Sequence, residues 1–321
     1  MALSFTVGPQ HTRILGLGHY RPNNVVTNQD LIDRGVETDD EWIRTRVGIA
    51  ERRWADPDET VVDLAEQAGS KAMAAAGVSP EQIDLVLVAT CTMPTPVPAA
   101  APQLAHRLGI DAPGGYDISS GCSGFVYSLN AASAAIRSGQ ATNVLVVAAE
   151  RFSGWLDMTD RSTCIILADG AGAAVVGPAD TPGLGPVVWG TDGEQFDSVA
   201  IDETSRTFRQ DGQAVYRWAT SKMAPIALAA CERAGIDPAE LGAFVPHQAN
   251  LRIIDAIAKR LGADNAVIAR DIVTSGNTSA ASIPLALSRL VEAGEIPSGA
   301  PTLLLGFGSG LAYAGQVVIA P

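Results

Sequence analysis

A cysteine stands in the stretch 117–130, D-I-S-S-G-C-S-G-F-V-Y-S-L-N, where an extended run gives way to a helical one. At a helix N-terminus, Cys122 would feel the positive end of the macrodipole, which lowers a thiol pKa and favours the nucleophilic thiolate. Gly121 and Gly124 would let a substrate and the backbone come close. The competing reading is the common one for a free cysteine, a small buried apolar filler. Local residues leave the two readings level. Cys91, Cys164 and Cys231 lack this context and read as packing residues.

A nucleophilic thiol needs partners. Of four histidines, His11 and His19 lie near the N-terminal strand and His106 sits in a helical segment beside Arg107. His247, in V-P-H-Q-A-N, stands where a strand meets a loop, the usual station of catalytic groups in α/β sheets. A lone histidine is more often structural. Gln248 and Asn250 shift that balance, because clustered hydrogen-bonding side chains after a strand are costly without a task.

Asn277, in T-S-G-N-T-S-A-A-S, could be ordinary turn chemistry. Gly276-Asn277-Thr278 pairs with Gly121-Cys122-Ser123 at an offset of 276 − 121 = 155, each before a small-residue helix start. If two equivalent helix starts converge, a Cys-His-Asn site follows: thiolate nucleophile, imidazole donor or base, amide donor. The turn G-F-G-S-G-L (306–311) lacks the Walker lysine of a phosphate loop, but its backbone amides could face a developing oxyanion.

The elements that must hold these residues come in two sets. A-G-V-S-P-E-Q-I-D begins at Ala76 and A-G-I-D-P-A-E-L-G at Ala234, an offset of 234 − 76 = 158. Both close an alanine-rich helical pattern on Gly, start a short acidic turn on Pro, and run into an apolar stretch. Short apolar runs at 13–18, 85–90, 143–149, 173–177, 302–307 and 316–320 read as buried strands between amphipathic helices. The expected fold is α/β, a duplicated unit divided as 1–178, with the cysteine, and 179–321, with the histidine and asparagine. The turn-rich P-A-D-T-P-G-L-G-P joins the halves into one body.

Composition narrows the function. The net charge of −13 argues against general nucleic-acid binding, which relies on basic surface. No apolar run approaches the roughly 18 residues of a membrane span. Residues 1–13 lack a basic segment followed by a long apolar core, so a secretory leader is not expected. Four scattered cysteines without C-x-x-C or zinc spacing suit reduced thiols in the cytoplasm.

Together the motifs resemble β-ketoacyl-acyl-carrier-protein synthase III, the initiating condensing enzyme of dissociated fatty-acid synthesis. The resemblance runs end to end, through D-D-E-W-I-R-T-R-V-G-I (39–49), G-C-S-G-F (121–125), D-R-S-T (160–163), D-G-A-G-A-A-V (169–175), V-P-H-Q-A-N-L-R-I-I (245–254), G-N-T-S-A-A-S-I-P (276–284) and G-F-G-S-G-L (306–311). It implies the thiolase fold, two pseudo-symmetric βαβαβαββ halves in a five-layered αβαβα body, and a homodimer. It also implies a ping-pong condensation of acyl-CoA with malonyl-acyl carrier protein, without metal or redox cofactor. Cys122 would carry the acyl group while His247 and Asn277 stabilise the enolate. The amides of Cys122 and Ser309 would form the oxyanion hole, with Phe307 walling the site.

Further positions carry over. Trp42 and Arg161 match the pair that sandwiches the CoA adenine, Thr38 and Arg46 lie in the same nucleotide-binding stretch, and Gly212 and Asn250 match groups lining the pantetheine tunnel. By itself D-E-W-I-R-T-R reads as a capped helix with a core aromatic. The helix A-N-L-R-I-I-D-A-I-A-K-R-L places Arg252 and Lys259 on one face with Arg260 adjacent, and Arg217 precedes Trp218. Such basic groups suit an acidic carrier protein, or are ordinary solvated charge. Two departures stand out. Val97 falls where some relatives carry a phenylalanine that closes the neighbouring subunit's acyl pocket, which hints at room for longer or branched starters. Ser309 interrupts the usual glycine run, and its side chain could narrow the site.

Other readings remain open at this level. A polyketide-priming ketosynthase, or an acyltransferase to oxygen or nitrogen, would keep the same set. A cysteine protease also uses Cys, His and Asn, but the papain-like context is absent. A non-catalytic acyl-binding protein would be expected to lose one of the three residues.

Overall fold

The computed structural model describes residues 6–321. Residues 1–5, the start of the stretch read above for a leader, lie outside the described residues. The chain opens with β1 (His11–Tyr20) and a two-stranded excursion, β2 (Asn24–Thr27) and β3 (Glu51–Trp54), enclosing α1 (Asn28–Asp33) and α2 (Asp40–Arg46). Then come α3 (Val61–Ala76), β4 (Leu85–Ala89), α4 (Ala100–Arg107), β5 (Gly114–Ile118), α5 (Gly124–Arg137), β6 (Val144–Arg151), α6 (Arg161–Cys164) and β7 (Asp169–Ala179). The rest follows the same plan. It runs through β8 (Val188–Thr191), the small pair β9 (Val199–Ile201) and β10 (Phe208–Gln210), α7 (Gly212–Ala234), β11 (Ala243–Pro246), α8 (Leu251–Leu261) and β12 (Val267–Ile268). It ends in α9 (Ile272–Ser275), α10 (Ser282–Glu292), β13 (Pro301–Gly308) and β14 (Ala312–Ile319).

The sheets repeat one another strand for strand. The first has the order β1-β7-β6-β4-β5, and the second, read from its other edge, β8-β14-β13-β11-β12. In each, the first two pairings are antiparallel and the last two parallel. This is the expected thiolase-fold α/β architecture.

The layering follows from which faces are apolar. Helices α5 and α10 pack between the sheets, and α10 is buried without a break from Ser282 to Ser288. A helix buried all round belongs in the middle of a layered body. On the outside, α3 and α4 cover the first sheet and α7 and α8 the second, each on its own apolar cluster. The result is the αβαβα stack. Gly77 and Gly235 end α3 and α7 in the left-handed conformation, as the paired helix-end motifs required.

Arg52 ties down the excursion. Its fully buried guanidinium donates to the Val26 carbonyl at 3.1 Å, and to Asn28 Oδ1 and the Ile165 carbonyl at 2.8 Å each. These bonds join the β2–β3 pair to the residue that closes α6. They thereby fix α2 and α6, which carry Trp42 and Arg161, relative to each other.

Candidate active site

The site collects at the C-terminal ends of the parallel strands of both sheets, where α/β sheets open crevices. Cys122 is the middle residue of a 3-10 turn, Gly121–Ser123, between β5 and α5. Its Sγ lies 3.3 Å from Ser279 Oγ. Burial pushes the thiol up to about 11 and the neighbouring Glu150 carboxyl adds to the rise. The Ser279 hydroxyl and the amides of Ser309 and Cys122 pull it down. The thiol is therefore not lowered as the helix-terminus argument expects, because desolvation of the thiolate outweighs the donors around it. Gly308 makes room for the sulfur: a Cβ there would meet Sγ at 2.8 Å.

His247 follows β11 directly, its N–H held by the Leu305 carbonyl at 2.8 Å. Nδ1 lies 2.7 Å from Ser282 Oγ, and that oxygen accepts the Gln248 N–H at 3.3 Å. With the Ser282 hydroxyl assigned as donor to Nδ1, the imidazole proton sits on Nε2. Burial pushes His247 down to about 3, so the ring is a neutral donor at physiological pH. Phe307 packs edge-to-face on it at 5.4 Å.

Asn277 is clamped through its backbone, its N–H on the Ile166 carbonyl and its carbonyl on the Ala168 N–H. Its Oδ1 accepts the Ser279 N–H at 2.8 Å, which leaves the amide NH₂ as the working end. Asn277 and His247 thus both offer N–H groups.

One cavity of about 900 Å³ is lined by Cys122, His247, Asn277 and Phe307, and also by Trp42, Arg46, Gly212, Asn250, Arg217 and Arg252. The Arg161 guanidinium lies over the Trp42 ring at 4.8 Å and donates to the Glu37 carbonyl. The pair predicted to hold an adenine therefore stacks directly on itself, with Trp42 in the cavity lining and Arg161 outside it. Asn250 caps α8 by accepting the Arg252 N–H, and donates to the Arg46 carbonyl at 3.0 Å. Arg252 stacks on Tyr216 at 5.3 Å.

Several predicted residues stand apart. Thr38 is half-buried off the lining, its hydroxyl without a partner. Lys259 and Arg260 are exposed and away from the cavity, Arg260 donating to the Thr220 carbonyl. Of the basic set, only Arg217 and Arg252 reach the cavity. Val97 is 78% exposed and lines no part of the chain's own cavity. Ser309 turns its hydroxyl to the Val199 carbonyl at 2.8 Å, so its side chain does not narrow the site.

The sequence reading missed Ser279, beside the sulfur, and Val199, Phe208 and Gln210 of β9–β10, which line the same cavity. Ser279 was visible only as one of several small residues after Asn277. The helix-start pairing also needs correction. The turns Gly121–Ser123 and Ser279–Ala281 are offset by 279 − 121 = 158, as are the starts of α5 and α10, 282 − 124. Cys122 therefore corresponds to Ala280, and Asn277 lies just ahead of the equivalent turn.

Comparison with known proteins agrees along the whole chain. Residues 116–193 match the family model described as 3-oxoacyl-[acyl-carrier-protein] synthase III, and residues 231–319 match its C-terminal model. The chain is 53% identical over 315 residues to β-ketoacyl-[acyl-carrier-protein] synthase III 4 of Streptomyces coelicolor, covering 97% of this chain and 99% of the relative. It is also 53% identical over 313 residues to β-ketoacyl-[acyl-carrier-protein] synthase III 2 of Streptomyces avermitilis, with the same coverage. Among solved structures, a priming β-ketosynthase from a polyketide biosynthetic pathway matches with TM-score 0.96 and 44% identity, covering 100% of this chain and 99% of that one. The 3-oxoacyl-[acyl-carrier-protein] synthase III of Aquifex aeolicus matches with TM-score 0.92 and 38% identity, covering 96% and 99%.

Proposed function

The chain belongs to the β-ketoacyl-[acyl-carrier-protein] synthase III family, and we propose that it condenses an acyl-CoA starter with malonyl-acyl carrier protein through an acyl-Cys122 intermediate. The Cys122 sulfur attacks the thioester carbonyl, the carbon–sulfur bond to CoA breaks, and CoA leaves as the thiol. Malonyl-acyl carrier protein then loses carbon dioxide. The electron pair of the broken C–C bond becomes an enolate, whose oxygen accepts hydrogen bonds from His247 Nε2–H and the Asn277 amide. The enolate carbon attacks the acyl-Cys122 carbonyl, whose oxygen faces the amides of Cys122 and Ser309. The tetrahedral intermediate then collapses: the carbon–sulfur bond to Cys122 breaks, the β-ketoacyl product stays on the carrier protein, and the Cys122 thiolate takes up a proton. Donors aimed where charge develops, in a desolvated site, are worth more than in water.

What supports the reading is a single cavity lined both by the Cys-His-Asn set and by Trp42 and Arg46. A thioester on a long carrier needs such a passage between its reacting end and its nucleotide. The neutral His247 fits a hydrogen-bond donor to the enolate better than a titrating base. A second reading, priming of a polyketide or other specialised pathway with an unusual starter, draws on the likeness to the priming β-ketosynthase.

To the same proposal belong a homodimer in which Val97 faces the partner's pocket, a cytoplasmic setting, a division of the chain at 178/179, and chemistry that uses neither metal nor redox cofactor. Arg217 and Arg252 are the first candidates for carrier-protein contact. Among the described residues no helix is long and apolar enough to cross a membrane.

The test is the mass of the intact protein after exposure to a mixture of acyl-CoAs. One acyl group is expected on the parent and none on Cys122→Ala, and the mass added identifies the starter. Equal labelling of both proteins would sink the acyl-cysteine mechanism.

A further inference from the structure

The site needs a base for the Cys122 thiol, and His247 is poorly placed to be one. Its Nδ1 is engaged by Ser282, and with that hydroxyl as the donor its Nε2 carries the proton. Behind the sulfur lies Glu150, fully buried near the end of β6. Three donors converge on its Oε2: the Thr92 hydroxyl at 2.7 Å, the Cys91 N–H at 3.0 Å and the Thr90 hydroxyl at 3.2 Å. Both threonine oxygens accept backbone N–H groups, those of Arg151 and Thr92, which turns their hydrogens toward the carboxyl. Oε1 has no partner at all. A buried oxygen left open beside a loaded one is a place for a proton.

The Ser279 hydroxyl lies 3.3 Å from Cys122 Sγ, in a turn that packs against β6, the strand that carries Glu150, and it pulls the Glu150 pKa down. Ser279 reaches this position at a conformational cost. Its φ is 50°, in the left-handed region, while Gly121, the residue at the same place in the equivalent turn, has φ 51°. A non-glycine residue in this conformation marks a position held for its side chain.

We propose that Glu150 receives the Cys122 proton through the Ser279 hydroxyl during acylation. The inference rests on the acyl-cysteine reading above. As sulfur bonds to the acyl carbon, its proton passes to Ser279 Oγ and the serine proton passes to the Glu150 carboxyl. When the carbon–sulfur bond to CoA breaks, the proton returns along the same path to the CoA sulfur and Glu150 is a carboxylate again. One negative charge moves within the site and none is created, which removes the repulsion between carboxylate and thiolate. Glu150 acts through Ser279 and touches no substrate.

The surroundings leave the pair isolated. The titratable groups facing Glu150 are Cys122 and Cys91, both raised by burial. Arg151 donates to the carbonyls of Asp56 and Pro57 on the other side of the strand. Asp169, opposite Arg151 on β7, is taken up by the Ala55 and Ser153 amides. Burial lifts Glu150 to about 7, against the pull of its hydroxyl and amide donors, so it is poised to exchange a proton at neutral pH.

The experiment is the rate of acyl transfer from acyl-CoA to the enzyme, in a single turnover, as a function of pH. In the parent the rate rises with pH through about 7, as Glu150 ionises. In Glu150→Gln it is at least ~10-fold slower at neutral pH and the inflection is gone, the size expected for loss of a positioned proton acceptor. Ser279→Ala, which keeps the backbone N–H on Asn277, gives the same loss and decides the matter if Glu150→Gln does not fold. Acylation of either variant at the parent rate, or a slowed rate that keeps the inflection, overturns the proposal. A parent that takes no acyl group would instead overturn the acyl-cysteine reading.

Discussion

The two halves share one backbone device and use it differently. In both, a 3-10 turn opens on a residue of positive φ and leads into a central helix: Gly121–Ser123 into α5, and Ser279–Ala281 into α10. In the first half glycine fills the left-handed position, and the next residue, Cys122, presents its sulfur. In the second half the corresponding residue is Ala280, and the polar groups have moved to the left-handed Ser279 and to Asn277 just before it. In the proposed mechanism the turn thus serves one half as a nucleophile mount and the other as a donor mount. Duplication supplied the geometry, and side chains divided the labour.

The largest expected effect tests the donor side. His247→Ala and Asn277→Ala should each slow decarboxylation of malonyl-acyl carrier protein by about 10²–10³-fold, the range for removing one donor to a developing oxyanion. Acyl transfer to Cys122 should persist in both. Carbon dioxide release and intact mass, measured on the same preparations, separate the two steps. Loss of acylation in Asn277→Ala would mean that the halves are not divided in this way.

A middling effect concerns the cavity mouth. Trp42→Ala removes the ring on which Arg161 stacks, a contact worth about 0.5–1 kcal/mol in partly exposed settings, and more when a nucleotide is held. The KM for acyl-CoA should rise about 10-fold while kcat holds, as expected when uniform binding is lost. A fall in kcat alone would assign Trp42 to packing.

The smallest effect bears on the turns themselves. Gly121→Ala forces a side chain into positive φ and against Ser309 Cβ at 2.9 Å. It should cost at least 1–2 kcal/mol, roughly the left-handed penalty for an L-residue. Ser279→Gly should relieve the same strain and raise stability by up to about 1 kcal/mol. It should also slow acylation, because the hydroxyl is gone. Urea unfolding and single-turnover acylation read the two quantities separately. Opposite stability signs at equivalent positions would show that Ser279 is kept for its side chain.

Much of this was legible in the chain. The paired helix ends at Ala76 and Ala234 gave the repeat, since glycine after an alanine-rich helix and proline opening the next turn are local signals. Cys122 and His247 were legible because each sits at a junction of strand and loop. The offset of 155 between the Cys122 and Asn277 motifs is not the structural one, which is 279 − 121 = 158. Matching glycines by type aligned Gly121 with Gly276, whereas the backbone aligns Gly121 with Ser279. Glu150 was not legible, for one acidic residue ending an apolar strand run reads as its solvated end. The lining from β9–β10 has too little periodicity to be placed.

By itself, then, the sequence determined the duplicated α/β plan and the three residues with chemistry to offer. These depend on local patterns of residue type, which short-range sterics and burial periodicity enforce. Only the tertiary structure decided their chemical state. It raised the Cys122 thiol, kept His247 neutral, set Ser279 beside the sulfur, and left Glu150 Oε1 open. The reason is physical: desolvation and hydrogen-bond supply depend on what packs around a group. Here the packing partners come from both halves of the chain, some 157 residues apart in the case of Cys122 and Ser279.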